Sequence, residues 1–196
     1  MVILKESCNI MNIMMSTLER SVYRNGSFSL LVLVMGGCFQ EPQYPNVPKI
    51  DFKGFSRYAL ATGTGVGQSK RDSLIITIGF KDGDGDLGND LPIGSNDLTR
   101  YMQAGGWGNY KIRTFRLENN HYKEQTSGEN NFLTFPRLES GDIKRPIEGN
   151  LEFKQVYTYG RLLKIYPTKY RIQIRDRMLN ISNEIETDTI HLPYPN

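Results

Sequence analysis

The chain has 196 residues, of which 38% are hydrophobic and 23% charged. This balance excludes a disordered charged tail, a coiled coil and a polytopic membrane protein, and a formal charge of +3 gives no indication of a nucleic-acid partner. Two cysteines and two histidines exclude a Cys/His zinc module and a disulfide-rich miniprotein.

The beginning of the chain has the features of a secretory signal. An apolar core at 28–35 follows two arginines and precedes two small residues. That core is too short to cross a hydrocarbon layer of about 30 Å, which argues against a transmembrane helix. We interpret residues 1–37 as a signal peptide whose natural start is Met14 or Met15, because the run before the apolar core is too long for an n-region.

The signal ends in a motif that predicts lipidation. Met35-Gly36-Gly37-Cys38 resembles a bacterial lipobox, in which the cysteine is acylated, for example with palmitate, and becomes the new N-terminus. The alternative is an ordinary cleavable signal followed by an incidental cysteine. The residues 38–47 are rich in proline and have no periodicity, which is typical of an extended tether.

The rest of the chain shows the period-2 alternation of β-strands. The segments that predict strands are 49–52, 73–80, 110–117, the residues from Tyr122 onward, 151–157, 170–174 and 185–192. Turn residues separate these segments, and no stretch has an amphipathic helical stripe longer than two turns. About seven short strands predict an all-β fold over 48–196, an antiparallel immunoglobulin-like β-sandwich with loop insertions.

An acidic loop follows the second predicted strand. Asp82, Asp84 and Asp86 alternate with glycines, and Asp90 lies a little further on. Three carboxylates this close repel one another, and a hard cation with oxygen ligands relieves the repulsion. The loop therefore predicts a calcium (Ca²⁺) site.

The calcium hypothesis has an alternative. The loop is not an EF-hand, because Leu87 stands where that loop needs glycine and Ile93 where it needs a bidentate glutamate. Asp-Gly runs also form solvated turns, and in that case Arg175 or Arg177 would neutralise the acids.

The predicted topology brings a second loop to the same place. In an immunoglobulin-like sandwich the B–C and F–G loops lie at one pole, so 73–80 as strand B and 170–174 as strand F place the acidic loop beside 176–183. Asp176 and Asn180 can then join the metal ligands, or they can only hydrogen-bond the backbone and shape their own loop. The complete predicted ligand set is Asp82, Asp84, Asp86, Asp90, Asp176 and Asn180.

A segment of glycines and aromatic residues lies at 101–110. Trp107, the sole tryptophan, together with Tyr101 and Tyr110, could form a flat ligand-binding platform for a sugar ring. The alternative is that Trp107 is a core anchor and the glycines allow the chain to turn.

Two stretches resemble a known group of proteins. The segments Phe80–Gly88 and Ile174–Asn183, together with the lipobox, resemble Bacteroidetes-type lipoproteins with an immunoglobulin- or fibronectin type III-like domain. The resemblance covers 48–192 loosely and is specific only in those two stretches. It implies the fold and a surface-exposed outer-membrane lipoprotein of the cell envelope, and it implies no known enzymatic activity.

Two function hypotheses follow from these patterns. The first is a non-catalytic, lipid-anchored binding or adhesion module of the cell envelope, stabilised by calcium, whose partners are the membrane and a glycan or an envelope protein. The second is a carbohydrate-active hydrolase of the envelope that uses one acid of the loop with Glu118 or Asp176. A glycosidase needs two carboxylates about 5–9.5 Å apart in a cleft, so the arrangement of the acids distinguishes the two.

Overall fold

The structure is a computed structural model that describes residues 42–60, 69–89, 95–126, 132–139 and 144–195. The predicted signal peptide, the lipidation site Cys38 and the predicted metal ligand Asp90 lie outside the described residues. Within the described ranges, no helix has both the length and the apolar character needed to cross a membrane.

The described chain is mostly β-strand. In order, the elements are β1 (Lys49–Leu60), β2 (Arg71–Asp82), α1 (Asn96–Gln103), β3 (Tyr110–Glu118), β4 (His121–Gln125), β5 (Ile147–Thr158), β6 (Leu163–Ile174), β7 (Ile185–Glu186) and β8 (Ile190–Pro195). The predicted strand segments therefore coincide with observed strands, except that 185–192 is divided between β7 and β8.

The strands form two antiparallel sheets. The first has three strands in the order β1-β2-β5. The second has five strands, in the order β4-β3-β6, with β7 and β8 pairing one after the other along the edge of β6 that faces away from β3. The central strands β2 and β6 thus have a partner on both sides, and their inward residues are the most buried of the fold.

The two sheets bury one shared hydrophobic core. The alternate residues of β2 that the sequence assigns to one face are all buried, as are Tyr170, Ile172 and Ile174 of β6. Contacts cross from sheet to sheet, since the Phe55 ring meets the Tyr170 ring edge-on at 6.4 Å and Tyr110 stacks on Phe153 at 5.7 Å. The period-2 pattern of the sequence therefore predicts the inward faces correctly.

Prolines set limits on strand pairing in the five-stranded sheet. Pairing between β3 and β6 ends at Arg116 and Thr168, because the next residue of β6 is Pro167, which has no N–H to continue the ladder. The edge strand β8 contains Pro193 and Pro195, which lack the N–H groups that an exposed edge offers to another chain.

The short helix α1 lies in the connection between the two sheets. Ser95 caps its N-terminus, where the Ser95 hydroxyl accepts a hydrogen bond from the Leu98 N–H at 3.1 Å. Leu98, Tyr101 and Met102 follow helical spacing, but the pattern spans only about two turns, so the sequence does not predict this helix, and only Tyr101 of its eight residues is buried.

Candidate metal centre

Three carboxylates converge directly after β2. Oxygen atoms of Asp82, Asp84 and Asp86 all lie within 4.8 Å of one another. Asp82 is fully buried, Asp86 is 6% exposed and Asp84 is half-buried. The three aspartates that alternate with glycines in the sequence therefore form a largely buried cluster. This differs from the solvated turn of the alternative interpretation.

Several oxygens of this loop have no donor. Asp82 Oδ2 accepts the Asp86 N–H at 3.1 Å, which curls the loop back on itself. One buried oxygen of each of the three carboxylates has no hydrogen-bond partner in the described protein, and the same is true of Oδ1 of Asn89, which is only 4% exposed. A buried acceptor without a donor costs about 1–3 kcal/mol, and the three carboxylates lie close enough together to hold a metal ion.

The glycines between the acids admit other segments of backbone. A Cβ on Gly83 would lie 2.3 Å from the carbonyl oxygen of Tyr44, and one on Gly88 would lie 2.0 Å from that of Pro136. Gly88 also has a φ of +80°, a conformation that L-residues rarely adopt. The loop is therefore wrapped by distant parts of the chain, and this wrapping buries the acids.

Substitution of Gly88 tests this wrapping. We expect Gly88→Ala to lower the free energy of unfolding by about 2–4 kcal/mol, through strain at positive φ and the clash with the Pro136 carbonyl. The matched control is Gly160→Ala, where the new methyl group meets nothing within 4 Å and the expected change is within about 0.5 kcal/mol. Urea unfolding measures both, and equal stability of the two variants would contradict the close approach.

The second predicted loop lies beside the first. Leu87 forms an antiparallel bridge with Asp176, and the Arg177 N–H donates to the Asp86 carbonyl at 3.3 Å. The predicted meeting of the two loops is thus observed. The fully buried Asp176 accepts hydrogen bonds from the Asn180 N–H and side-chain amide, both at 2.8 Å. Asp176 and Asn180 therefore shape their own loop, as the alternative interpretation has it.

Burial and mutual repulsion perturb the acids. Burial, followed by the charges of Asp86 and Asp84, raises the pKa of Asp82 to about 7. Burial, followed by the charges of Asp176 and Asp84, raises the pKa of Asp86 to about 6. Burial also raises the pKa of Asp176, against the lowering effect of its hydrogen bonds from Asn180. Without a metal, Asp82 and Asp86 therefore keep their protons to a higher pH than ordinary aspartates do.

These pKa values give a pH dependence of stability. An unfolded aspartate has a pKa near 3.9, so the contribution of Asp82 in the metal-free protein is fully present below about pH 4 and is lost as the pH rises to about 7. We expect the free energy of unfolding in chelator to fall across this range, at up to about 1.4 kcal/mol per pH unit for each proton. In Asp82→Asn the free energy of unfolding should decrease less over this pH range. Parallel curves of unfolding free energy against pH for the two proteins would contradict the raised pKa.

The two arginines proposed as counter-ions do not form ion pairs with the cluster. In the described part of the chain, no lysine or arginine nitrogen lies within 4.0 Å of the three carboxylates. The guanidinium of Arg175 instead donates to backbone carbonyls, among them those of Gly108 at 2.7 Å and Ala104 at 2.8 Å. Arg177 lowers the pKa of Asp86 by its charge, but its Nη1 has no hydrogen-bond partner.

The predicted aromatic platform lies in the interior. Tyr101 is 1% exposed, Trp107 is 7% and Tyr110 is 6%. The Arg175 guanidinium carbon lies 4.1 Å from the Trp107 ring centroid and 4.4 Å from that of Tyr101. This placement favours the core-anchor interpretation of Trp107 over a sugar-binding face, because the rings already have partners.

Glu118, the distant acid of the hydrolase hypothesis, is not part of the cluster. It ends β3, eight residues from Tyr110, which corresponds to about 26 Å along the strand. Its carboxylate pairs with Arg116 and lies 3.8 Å from Lys123 Nζ.

Two features beside the acids are not part of the predicted ligand set. Asn89 adds a fourth orphaned oxygen, and the segment around Tyr44 closes over the loop. The only sequence signal for Asn89 is its position at the end of the acidic run. Comparison of this chain with known protein families, curated proteins and solved structures finds no match.

Proposed function

We propose that this protein is a non-catalytic, lipid-anchored module of the cell envelope, with an immunoglobulin-like sandwich stabilised by a calcium ion. The observation that carries the proposal is the enclosed cluster of Asp82, Asp84 and Asp86, with its orphaned oxygens and no paired cation among the described residues. A bound divalent cation would satisfy these oxygens and neutralise the charges together.

The strand order supports an immunoglobulin-like arrangement. The three-stranded sheet β1-β2-β5 corresponds to strands A, B and E of such a domain. The other sheet, with β4, β3, β6 and β8 as neighbours, corresponds to C′, C, F and G. The acidic loop is then the B–C loop, and Asp176 begins the F–G loop.

The donor set suits calcium better than magnesium. Calcium takes six to eight oxygen ligands in flexible geometry, and the three carboxylates offer up to six oxygens from one loop. Magnesium requires a near-ideal octahedron and keeps several waters, which a largely buried cluster cannot easily accommodate. The amide oxygen of Asn89, which has no hydrogen-bond donor, lies three residues after Asp86 in the chain.

The same geometry argues against the hydrolase alternative. Oxygens of all three acids lie within 4.8 Å of one another in a single loop, whereas a glycosidase holds two carboxylates on either side of the bond that it cleaves. The acids are largely buried together and do not face each other across a cleft. Both carboxylate oxygens of Asp176 already accept hydrogen bonds from Asn180.

Calorimetric titration of the full chain with calcium tests the proposed site. The experiment uses Cys38→Ala so that the chain carries no lipid. We expect binding of one calcium ion per chain, with release of protons at pH 6.5 because Asp82 and Asp86 must ionise. Absence of a binding heat in buffers of different ionisation enthalpy would overturn the calcium part of the proposal.

Fractionation of cells tests the anchor. If Cys38 is acylated, the protein should be recovered with membranes and Cys38→Ala should move it to the soluble fraction, because a multiply acylated cysteine anchors stably. Mass spectrometry of the N-terminal peptide provides the direct measurement. Unchanged fractionation together with an unmodified peptide would exclude lipidation.

We propose that the module binds a glycan or an envelope protein. Screening of the unlipidated chain on a glycan array, alongside a pull-down from envelope extract, would separate the two. Trp107→Phe serves as a matched variant, because a buried anchor at 7% exposure should change stability without changing any glycan signal.

A further inference from the structure

We propose that the segment Tyr44–Asn46, named here the strap, docks on the acidic loop in a cation-dependent way. The inference rests on the calcium site proposed above. The sequence assigns these residues to an extended tether, but in the structure they lie against the loop that carries the carboxylates.

The strap contacts the peptide that separates two of the acids. The Gly83 N–H donates to the Pro45 carbonyl oxygen at 2.9 Å. The approach is so close that a Cβ on Gly83 would lie 2.3 Å from the Tyr44 carbonyl oxygen and 2.9 Å from Asn46 Oδ1. Gly83 stands between Asp82 and Asp84, so its orientation is set by where those two carboxylates are held.

The remaining contacts of the strap are exposed and few. The Tyr44 hydroxyl donates to Glu148 Oε2 at 2.8 Å, and Lys81 Nζ lies 5.1 Å from the Tyr44 ring centroid. Tyr44 is half-buried, whereas Pro45 and Asn46 are exposed. Exposed contacts of this kind contribute little each, so the strap belongs to the low-stability parts of the fold.

The bound cation therefore controls the strap through Gly83. With a cation, Asp82 and Asp84 are drawn to one centre and the peptide between them is fixed for the Pro45 carbonyl. Without a cation, repulsion between ionised acids turns this peptide and weakens the hydrogen bond. The coupling is reciprocal, so docking of the strap also strengthens cation binding.

Release of the strap lengthens the chain between the domain and its proposed membrane anchor. Freeing residues 44–47 adds four residues of extended chain, or at most about 14 Å, to the tether predicted after Cys38. Cation binding would thus hold the domain closer to the membrane surface.

Spin labelling tests the proposal. The full chain carries Cys8→Ser and Cys38→Ser, and Gln43→Cys, next to the strap and exposed, receives a nitroxide. We expect the label to move at least about twofold more slowly in millimolar calcium than in chelator. Asp84→Asn, which removes a ligand of the cation, should show the same label motion in calcium and in chelator. A label at Leu162→Cys, a residue that is 85% exposed in the turn between β5 and β6, should not respond.

Tyr44→Ala provides a second variant that keeps all the acids. We expect its Gln43→Cys label to move fast with and without calcium, while calorimetry still detects calcium binding with a several-fold higher Kd. If the parent protein binds calcium by calorimetry but its label moves equally in both conditions, the strap proposal is wrong and the calcium site stands. If calorimetry detects no calcium binding, the calcium site fails and the strap proposal fails with it.

Discussion

Millimolar calcium should raise the melting temperature of the unlipidated chain by about 5–10 °C. A ligand that binds only the folded state adds about 2.7 kcal/mol at a hundredfold excess over its Kd, and each kcal/mol shifts the melting temperature of a domain this size by about 2–4 °C. The gain arises because the ion satisfies the orphaned oxygens of Asp82, Asp84 and Asp86 and cancels their repulsion. Magnesium should produce a smaller shift.

Asp84→Asn should abolish this shift. Asp84 is the least buried of the three acids, so the substitution removes a ligand charge with little effect on packing. The melting temperature in chelator should stay the same or rise slightly, since one repelling charge is gone. Asp188→Asn, which makes the same charge change at an exposed position after β7, should retain the full calcium shift. Differential scanning calorimetry decides the matter, and identical curves in calcium and chelator would show that the loop is only a turn.

Replacement of Arg175 should strongly destabilise the fold. Its side chain is 1% exposed, and its guanidinium donates to the carbonyls of Tyr101, Ala104, Trp107 and Gly108. These carbonyls include the C-terminal end of α1, where the helix dipole favours a cation. The guanidinium also packs against the rings of Tyr101 and Trp107.

Arg175→Met keeps an unbranched stem similar to that of arginine and removes every donor. The buried carbonyls are then left without partners, and we expect the free energy of unfolding to fall by about 3–5 kcal/mol. Arg175→Lys should lose less stability than Arg175→Met but should remain less stable than the parent protein. One ammonium group cannot reproduce the planar arrangement of donors in the guanidinium. The control is Arg171→Met, four residues earlier in β6, whose ion pair with Glu186 is exposed and should be worth less than about 1 kcal/mol. Equal losses in Arg175→Met and Arg171→Met, measured by urea unfolding, would contradict the role assigned to Arg175.

The metal site and the contacts of Arg175 with α1 should affect each other's stability. Asp176, the neighbour of Arg175 in sequence, carries the bridge to Leu87 and the hydrogen bond from the Tyr101 hydroxyl to its carbonyl at 3.2 Å. Loss of the packing of α1 should therefore disturb the loop that borders the acids. We expect the changes in the free energy of unfolding of Arg175→Met and Asp84→Asn not to be additive in the double variant.

The sequence by itself determined the strands and the two loops of the site. Period-2 alternation in 73–80 and 170–174 reflects a local property, the opposite direction of successive side chains, and it fixed which residues of β2 and β6 face inward. The alternation of acids and glycines in 82–86 likewise indicated a carboxylate cluster, and the expected order of strands placed Asp176 beside it.

Only the tertiary structure decided how these groups are buried and which partners they take. The loop that contains the buried Asp82 packs at Gly83 and Gly88 against backbone from Tyr44 and Pro136, which lie far away in the chain and carry no signal in the acidic motif itself. Arg175 is adjacent to an acid in sequence, yet it donates to carbonyls at the end of α1 and in the segment that follows the helix. A buried guanidinium needs several acceptors at fixed positions, and these carbonyls provide them. Periodicity reports the direction of a side chain, whereas burial and pairing arise from segments that meet only when the chain has folded.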